Sequence, residues 1–282
     1  MSKKGSSFQI TVKDHLVTGE SFELMFDPDL DMLQTVPAPS EQDLPKYYES
    51  DDYISHTDSR RGLMAFLYQK VKSYSLRKKV NLINRENGGT GTLLDVGAGT
   101  GAFLEAANKR GWNVKGVEPN EKARKFAGDR GLELVDSIEE LDDSRYDVVT
   151  LWHVLEHMPN LLEVIQKLSS IVKPGGTLIV AVPNFKSYDA RHYKNFWAAY
   201  DVPRHIWHFS RTAVKKLFAD HFNFVKDRPM IFDSIYVSLL SEKYKSGKSF
   251  SMRAIWTGFV SNIKGLSSKE YSSHIYIFKR NN

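Results

Sequence analysis

The spacing of apolar and polar positions changes character along the chain. Residues 1–55 carry two short runs of β character, FQITVKDHLV and SFELMF, closed by turn signals at Asp27-Pro28 and Pro37-Ala38-Pro39-Ser40. Leu63, Phe66, Leu67, Val71, Leu76, Val80 and Ile83 then recur at helical spacing. This pattern predicts an amphipathic helix within 56–88, stopped at Asn87-Gly88-Gly89. From Thr92 onward, apolar runs (TLLDV, NVKGVEP, LELVD, YDVVTLW, TLIVAVP) alternate with helical segments (FLEAANKRG, EKARKFAGDRG, LLEVIQKLSSIV). Strands separated by helices predict a parallel sheet covered on both faces, and their unbroken apolar character agrees. Residues 184–210 break the alternation with a stretch rich in aromatics and histidines, too long for a plain connection. Ser210 then reads as the N-cap of the helix RTAVKKLFADHF. FNFVKDRPMI and HIYIFKR are strand-like, with the helical pieces DSIYVSLLSEKY and RAIWTGFVSNIK between them.

Composition narrows the class. With 282 residues, 41% of them hydrophobic and 26% charged, the chain is an ordinary globular protein rather than a disordered or fibrous one. The absence of cysteine excludes disulfides, thiolate metal sites and cysteine nucleophiles. No apolar stretch approaches the roughly 18 residues of a membrane span, and MSKKGSSFQITVKD lacks the apolar core of a secretory signal. The expected location is therefore cytoplasmic. A net charge of +5 permits an anionic partner without requiring one. The helix is where the charge concentrates: Arg60, Arg61, Lys70, Lys72, Arg77, Lys78, Lys79 and Arg85 occur with no acid among them. Such a helix either docks on its own protein with a solvated basic face or touches a membrane surface or nucleic acid.

The most informative segment is Leu93-Leu94-Asp95-Val96-Gly97-Ala98-Gly99-Thr100-Gly101. An apolar strand runs into closely spaced glycines with a helix opening behind them. Glycines let a ligand approach the backbone, and the helix start offers free N–H groups. The next strand ends at Glu118, where an acid is placed to bind two ribose hydroxyls. Gly97, Gly99 and Ala102 also fit the dinucleotide fingerprint Gly-x-Gly-x-x-Ala. Asp95 before the first glycine and the early third glycine, Gly101, favour a single nucleoside with a cationic amino group.

LLDVGAGTG, VEPN, the Tyr146-Asp147 pair opening VVTLWHVLEHMPN, and VKPGGTLIVAVPN resemble class I S-adenosylmethionine-dependent methyltransferases, in order and spacing, from Thr92 to Asn184. YYESDDYISH, DVPRHIWHFS and YSSHIYIFKR look similar to one bacterial small-molecule subgroup whose members often carry a cysteine-rich zinc module. Without cysteine, a related leader here must fold without zinc. The resemblance implies a Rossmann-like doubly wound sheet of about seven strands, mostly parallel with an antiparallel C-terminal strand, spanning 89–282 behind a small N-terminal extension. It implies S-adenosyl-L-methionine as cofactor and S-adenosyl-L-homocysteine as product. Asp95, Gly97, Ala98, Gly99 and Gly101 would hold the methionine part, and Glu118 beside Pro119 the ribose. Asp136, Ser137 and Ile138 would border the adenine, and Trp152 and His153 the methyl-donor end. Tyr53 and His56 would close over the cofactor from the leader.

Methyl transfer from a sulfonium is an in-line displacement that depends mostly on positioning. An oxygen or carbon acceptor also benefits from a general base, for which histidine suits neutral pH. His153, His157, His205 and His208 are the candidates. The last two lie in the loop after the fifth strand, on the carboxyl edge where open α/β sheets bind ligands. Trp197, Tyr200, Arg204, His205 and Trp207 are candidates for the acceptor pocket, with Arg204 meeting an acceptor anion or pairing with Asp201. The same residues can equally form a hydrogen-bond network that pins the loop. No metal-ligand spacing is recognisable, so no metal is expected. The aromatic loop and the basic helix favour a small or lipid-like acceptor and permit peripheral membrane contact, with Lys70, Lys72, Lys78 and Lys79 on the membrane side. Trp152-His153-Val154-Leu155 stands where a base-amine methyltransferase carries Asn-Pro-Pro-Tyr, so no nucleic acid partner is favoured. A binding protein without turnover and a nicotinamide-dependent oxidoreductase remain as alternatives.

Overall fold

A computed structural model describes residues 9–40, 42–48, 63–141, 144–248 and 250–282. In chain order, the strands are β1 (Gln9–Lys13), β2 (Ser21–Asp27), β3 (Met32–Val36), β4 (Thr92–Val96), β5 (Asn113–Val117), β6 (Leu134–Val135), β7 (Tyr146–Trp152), β8 (Val172–Pro183), β9 (Trp207–Phe209), β10 (Phe222–Pro229) and β11 (Ser273–Arg280). The α-helices are α1 (Leu63–Asn87), α2 (Ala102–Asn108), α3 (Glu121–Gly128), α4 (Leu161–Ile171), α5 (Tyr188–Tyr193), α6 (Arg211–Phe218), α7 (Asp233–Ser246) and α8 (Met252–Ser268).

The main sheet has seven strands in the order β10-β11-β8-β7-β4-β5-β6. β4, β5, β6, β7 and β8 run parallel, and β11 pairs antiparallel with both β8 and β10. This is the Rossmann-like α/β class expected from the alternating pattern. Leu94, Val96, Val149, Leu151, Leu178 and Val180 enter the core on one face, while Leu93, Val148, Ile179 and Ala181 enter it on the other. Both faces are covered, which explains why the strands read as continuous apolar runs. Two sequence boundaries shift. Lys173-Pro174-Gly175-Gly176 does not separate α4 from the fifth strand. It bulges out within β8, so that Tyr146 pairs with Val172 and Val148 already pairs with Thr177. LELVD contributes only two paired residues at the sheet edge.

A second sheet, β1-β2-β3-β9, joins the N-terminal segment to the 184–210 stretch. β3 was not evident in the sequence. It pairs Met32, Leu33 and Gln34 with Phe209, His208 and Trp207. Helix α1 covers one face of the main sheet, docking through Val80, Leu82 and Ile83 against Leu93 and Phe103. Ser187, Ser210 and Ser251 cap α5, α6 and α8, each accepting the N–H of the residue three places on. Tyr53, His56, Arg60 and Arg61 lie outside the described residues, as does the side chain of Lys72.

Candidate active site

The glycine turn connects β4 to α2. Gly97, Gly99 and Gly101 all have positive φ, at 73°, 54° and 75°. Two of them have crowded surroundings: a Cβ on Gly97 would lie 2.3 Å from the Val154 side chain, and one on Gly101 would lie 2.6 Å from Leu132. Gly99 differs, because its missing Cβ faces open space with nothing within 4 Å. The turn is therefore packed from behind and bare in front, a backbone surface free for a ligand.

Two acids flank this surface. Asp95 is buried at the end of β4 and accepts a 2.5 Å hydrogen bond from Thr150 Oγ1. Burial raises its pKa to about 7, against the Thr150 hydrogen bond and the Lys79 charge, which lower it. A buried carboxylate held near its titration point favours a cationic ligand. Glu118, at the tip of β5, accepts from Gly99 N at 2.8 Å and from Asn120 N at 2.9 Å. Arg124 donates to the carbonyls of Glu118 and Pro119, fixing this corner. Glu118 N donates to Val135 O, which sets Asp136, Ser137 and Ile138 beside the corner. Of these three, Asp136 is exposed and Ile138 is in the core.

Lys79 was expected among the solvated lysines of α1, but its ammonium is half-buried 4.1 Å from the centre of the Trp152 ring. Burial lowers its pKa to about 8, opposed by the charges of Asp95 and Asp233. The spacing contained this information, because Lys79 falls on the same helical stripe as Leu76 and Ile83. Trp152 packs edge-on against Phe103 of α2, and its buried Nε1 has no hydrogen-bond partner among the described residues.

Past β7, His153 adopts φ +59°, a strained conformation for a side chain of its size. Its Nε2 lies 3.2 Å from Asp233 and its Nδ1 3.3 Å from Glu156. Burial opposes a charge here, but the two carboxylates prevail and raise its pKa to about 10. His153 is thus an imidazolium held between two acids. Glu156 is fully buried; its carbonyl accepts from Ile206 N at 2.8 Å, and its carboxylate faces His153.

His157 and His205 meet edge to face, with ring centroids 4.5 Å apart. His157 Nδ1 is 3.0 Å from the Arg204 carbonyl, and His205 Nδ1 is 2.9 Å from the Ala199 carbonyl. A carbonyl only accepts, so both rings donate from Nδ1; the His205 Nε2 lies 3.9 Å from Asp201 Oδ2, and the His157 Nε2 keeps its lone pair. Burial and the neighbouring His205 push the His157 pKa down to about 4. One donor atom each from Glu156, His157 and His205 falls within 4.8 Å of the others, a donor set that suits a divalent transition ion. Tyr48 of the leader reaches in, with its hydroxyl 3.2 Å from His157 Nδ1.

Several acceptor candidates turn out to be interior. Arg204 is buried, with its guanidinium on Asp201, Asp14 and the Tyr47 carbonyl, so it pairs within the protein rather than facing an acceptor anion. Trp197 donates to buried Asp189, which also takes the hydroxyls of Ser261 and Ser272. Tyr200 packs on Trp197 and His208 within the second core. Burial drives the His208 pKa well down; its Nε2 bonds Thr35, whose hydroxyl donates to the His205 carbonyl. His208 therefore ties β9 to β3. Trp207 is half-buried and donates to the Met158 carbonyl. Sequence reasoning missed Asp14, Tyr48, Lys79, Glu156 and Asp233. Asp14, Tyr48 and Asp233 owe their place to contacts with distant parts of the chain.

A family model described as a methyltransferase domain matches residues 68–227, which include the glycine turn, both acids and the histidine cluster. The chain belongs to the methyltransferase-domain family. Its class is the S-adenosylmethionine-dependent class I that the motifs pointed to. A ubiquinone biosynthesis O-methyltransferase of Vibrio cholerae is 39% identical over 108 residues, covering 34% of this chain and 44% of that protein. The Vibrio parahaemolyticus protein of the same name is 35% identical over 128 residues, covering 41% and 52%. The chain spans about half the length of the curated relatives it matches. Among solved structures, the cyclopropane synthase MmaA2 of Mycobacterium tuberculosis shares the methyltransferase fold at TM-score 0.53 and 16% identity, covering 84% of this chain and 95% of that one. The 1,6-didemethyltoxoflavin-N1-methyltransferase of Burkholderia thailandensis, whose structure holds S-adenosylhomocysteine, aligns at TM-score 0.52 and 14% identity, covering 96% and 100%.

Proposed function

We propose that this methyltransferase moves the methyl group of S-adenosylmethionine to a hydroxyl of a small acceptor with apolar character. The observation that carries the reading is the bare backbone at Gly99 between two acids, one buried and near its titration point. Those residues fit the cofactor: a buried carboxylate for its amino group, and a surface acid for a ribose diol. Asp95 holds the amine as a carboxylate. Glu118 exchanges its bond to Gly99 N for the ribose hydroxyls, and the Asp136–Ile138 corner borders the base. The bound cofactor supplies an electrophilic methyl group on a sulfonium.

Oxygen as the accepting atom is supported by the curated relatives, which are O-methyltransferases named for ubiquinone biosynthesis. The acceptor proton goes to His157, which donates from Nδ1 to the Arg204 carbonyl and keeps its lone pair on Nε2. His153 is not the base, because an imidazolium with a pKa of about 10 has no lone pair to offer at neutral pH. It fixes the loop after β7 through Asp233 and Glu156 instead. The cleft between α1 and Phe232, about 590 Å³ and lined by Lys70, Tyr74 and Arg77, supplies the acceptor entrance.

The test is calorimetric titration with S-adenosylhomocysteine, followed by transfer of labelled methyl to hydroxylated quinone-type acceptors. The expected result is micromolar binding and label on oxygen. Absence of binding overturns the reading. Binding without transfer to any hydroxyl acceptor leaves a cofactor-binding protein without this activity.

A further inference from the structure

Helix α8 is packed inside out. Its buried face consists of Ala254, Thr257, Gly258, Ser261 and Gly265. These small residues let α8 lie against α7 so closely that a Cβ on Gly258 would sit 2.7 Å from the Ile235 Cα. On the opposite face, Met252, Trp256, Phe259, Ile263 and Leu266 are 69%, 64%, 50%, 48% and 64% exposed. Their spacing alternates four and three residues, which places them in one stripe along the helix. Phe250 and the turn residues Ile231 and Phe232 are exposed as well. Water rarely faces an apolar patch of this extent unless something covers it. Small residues inside and large apolar residues outside is the arrangement of helices that pack together within lipid.

The charges around the stripe indicate what covers it. Arg253 and Lys264 of α8 and the neighbouring Lys243, Lys245, Lys248 and Lys269 are exposed. α8 has no acidic residue. The two acids of α7 turn toward the protein, Asp233 to His153 and Glu242 into the interior. A two-fold contact between copies would set these cations against one another, whereas an anionic bilayer complements them. No helix among the described residues is long and apolar enough to cross a membrane.

We propose that the outer face of α8, with Phe250 and the Ile231–Phe232 turn, docks this protein flat on an anionic lipid surface. The stripe sinks into the interface while the surrounding lysines meet the headgroups. This assigns the membrane contact to α8 rather than to α1, whose Lys79 points inward. Phe232 belongs both to this face and to the cleft, meeting Tyr74 of α1 at 6.0 Å, and Asp233 beside it pairs with His153. The cleft thus opens at this face, next to the Asp233–His153 pair. Acceptor delivery from the bilayer into this cleft rests on the methyl-transfer reading, while the docking itself does not.

The experiment is co-sedimentation of the full chain with vesicles of phosphatidylcholine containing phosphatidylglycerol, and with phosphatidylcholine alone, beside sedimentation velocity without lipid. The wild type should pellet with the anionic vesicles and less so as salt rises. A W256S/F259S variant should lose roughly tenfold in vesicle affinity while keeping its melting temperature and S-adenosylhomocysteine affinity. Arg253→Glu with Lys264→Glu should weaken binding to the anionic vesicles alone. The proposal is overturned by a wild type that stays in solution, or by W256S/F259S pelleting as before. It is equally overturned by a dimer in solution that the same variant dissociates. Vesicle binding needs no cofactor, so a failure of the methyl-transfer reading shows separately, in the calorimetric titration.

Discussion

The carboxyl edge of the main sheet has two sides, built in opposite ways. On the β4–β5 side, the ligand surface comes from one contiguous stretch: strand, glycine turn and helix, then the next strand with its terminal acid. On the β7–β9 side, the surface is gathered from four places: Tyr48 of the leader, Glu156 and His157 after β7, His205 before β9, and Asp233 at the start of α7. The first side has bare backbone and a carboxylate whose burial is only partly relieved by Thr150 and Lys79. The second is held by a buried ion network in which most polar groups already have partners. One side leaves backbone bare beside a buried acid, and the other ties the second sheet to the main one.

The largest effect that would break this comparison is loss of Arg204. Its guanidinium joins Asp14 of the leader, Asp201 of the loop and the Tyr47 carbonyl. Arg204→Ala takes the guanidinium from two acids, of which Asp14 is fully buried and keeps only local hydrogen bonds, at a cost of about 3–5 kcal/mol. The melting temperature should fall on the order of 10 °C by scanning calorimetry. Unchanged stability would mean that the second sheet does not depend on this network.

On the other side, Asp95→Asn should separate binding from stability. S-adenosylhomocysteine affinity should drop about a hundredfold, because the buried partner of its amine is gone. The free protein should melt higher at pH 8. Asp95 has a folded pKa of about 7, above its ordinary value of 3.8. The folded state therefore favours the protonated acid, and stability is lost as pH rises through about 7. Asparagine removes that loss, so the gain should shrink by pH 5. The same titration governs binding by the wild type. Affinity should weaken about twentyfold from pH 7.5 to pH 5.5 as Asp95 takes up its proton, and flatten above pH 8. A flat calorimetric profile over that range would mean that Asp95 does not hold the amine.

The same contrast explains what could be read from the sequence. The fold was legible because strands and helices alternate locally, and the bare Gly97–Gly101 turn between Asp95 and Glu118 was legible because it too is one local stretch. Trp197, Tyr200 and Arg204 were misplaced toward the acceptor because an aromatic, charged loop reads alike whether it lines a pocket or fills a core. What decides between them is the N-terminal segment that covers the loop, with Asp14, Leu33 and Tyr47, and it lies far along the chain. α8 shows the same limit from the other direction: its apolar spacing marks a helix, but not which face is covered.

The smallest expected effect sharpens the second side. Glu156, His157 and His205 bring together donors that a divalent ion accepts. His153 decides against one. Its ring is an imidazolium below about pH 10 and already lies 3.3 Å from the Glu156 carboxylate. A dication on Glu156 would face that positive charge at close range in a buried setting, where the repulsion is poorly screened. Exhaustive chelation should therefore leave methyl transfer unchanged within about twofold and remove no metal detectable by mass spectrometry. His153→Gln takes the imidazolium away while keeping a hydrogen-bonding side chain. In that variant the trio should acquire affinity for zinc or cobalt, visible as cobalt absorption bands absent from the wild type. Cobalt bands in the wild type itself would make the trio a metal site and remove the free imidazole base from the mechanism.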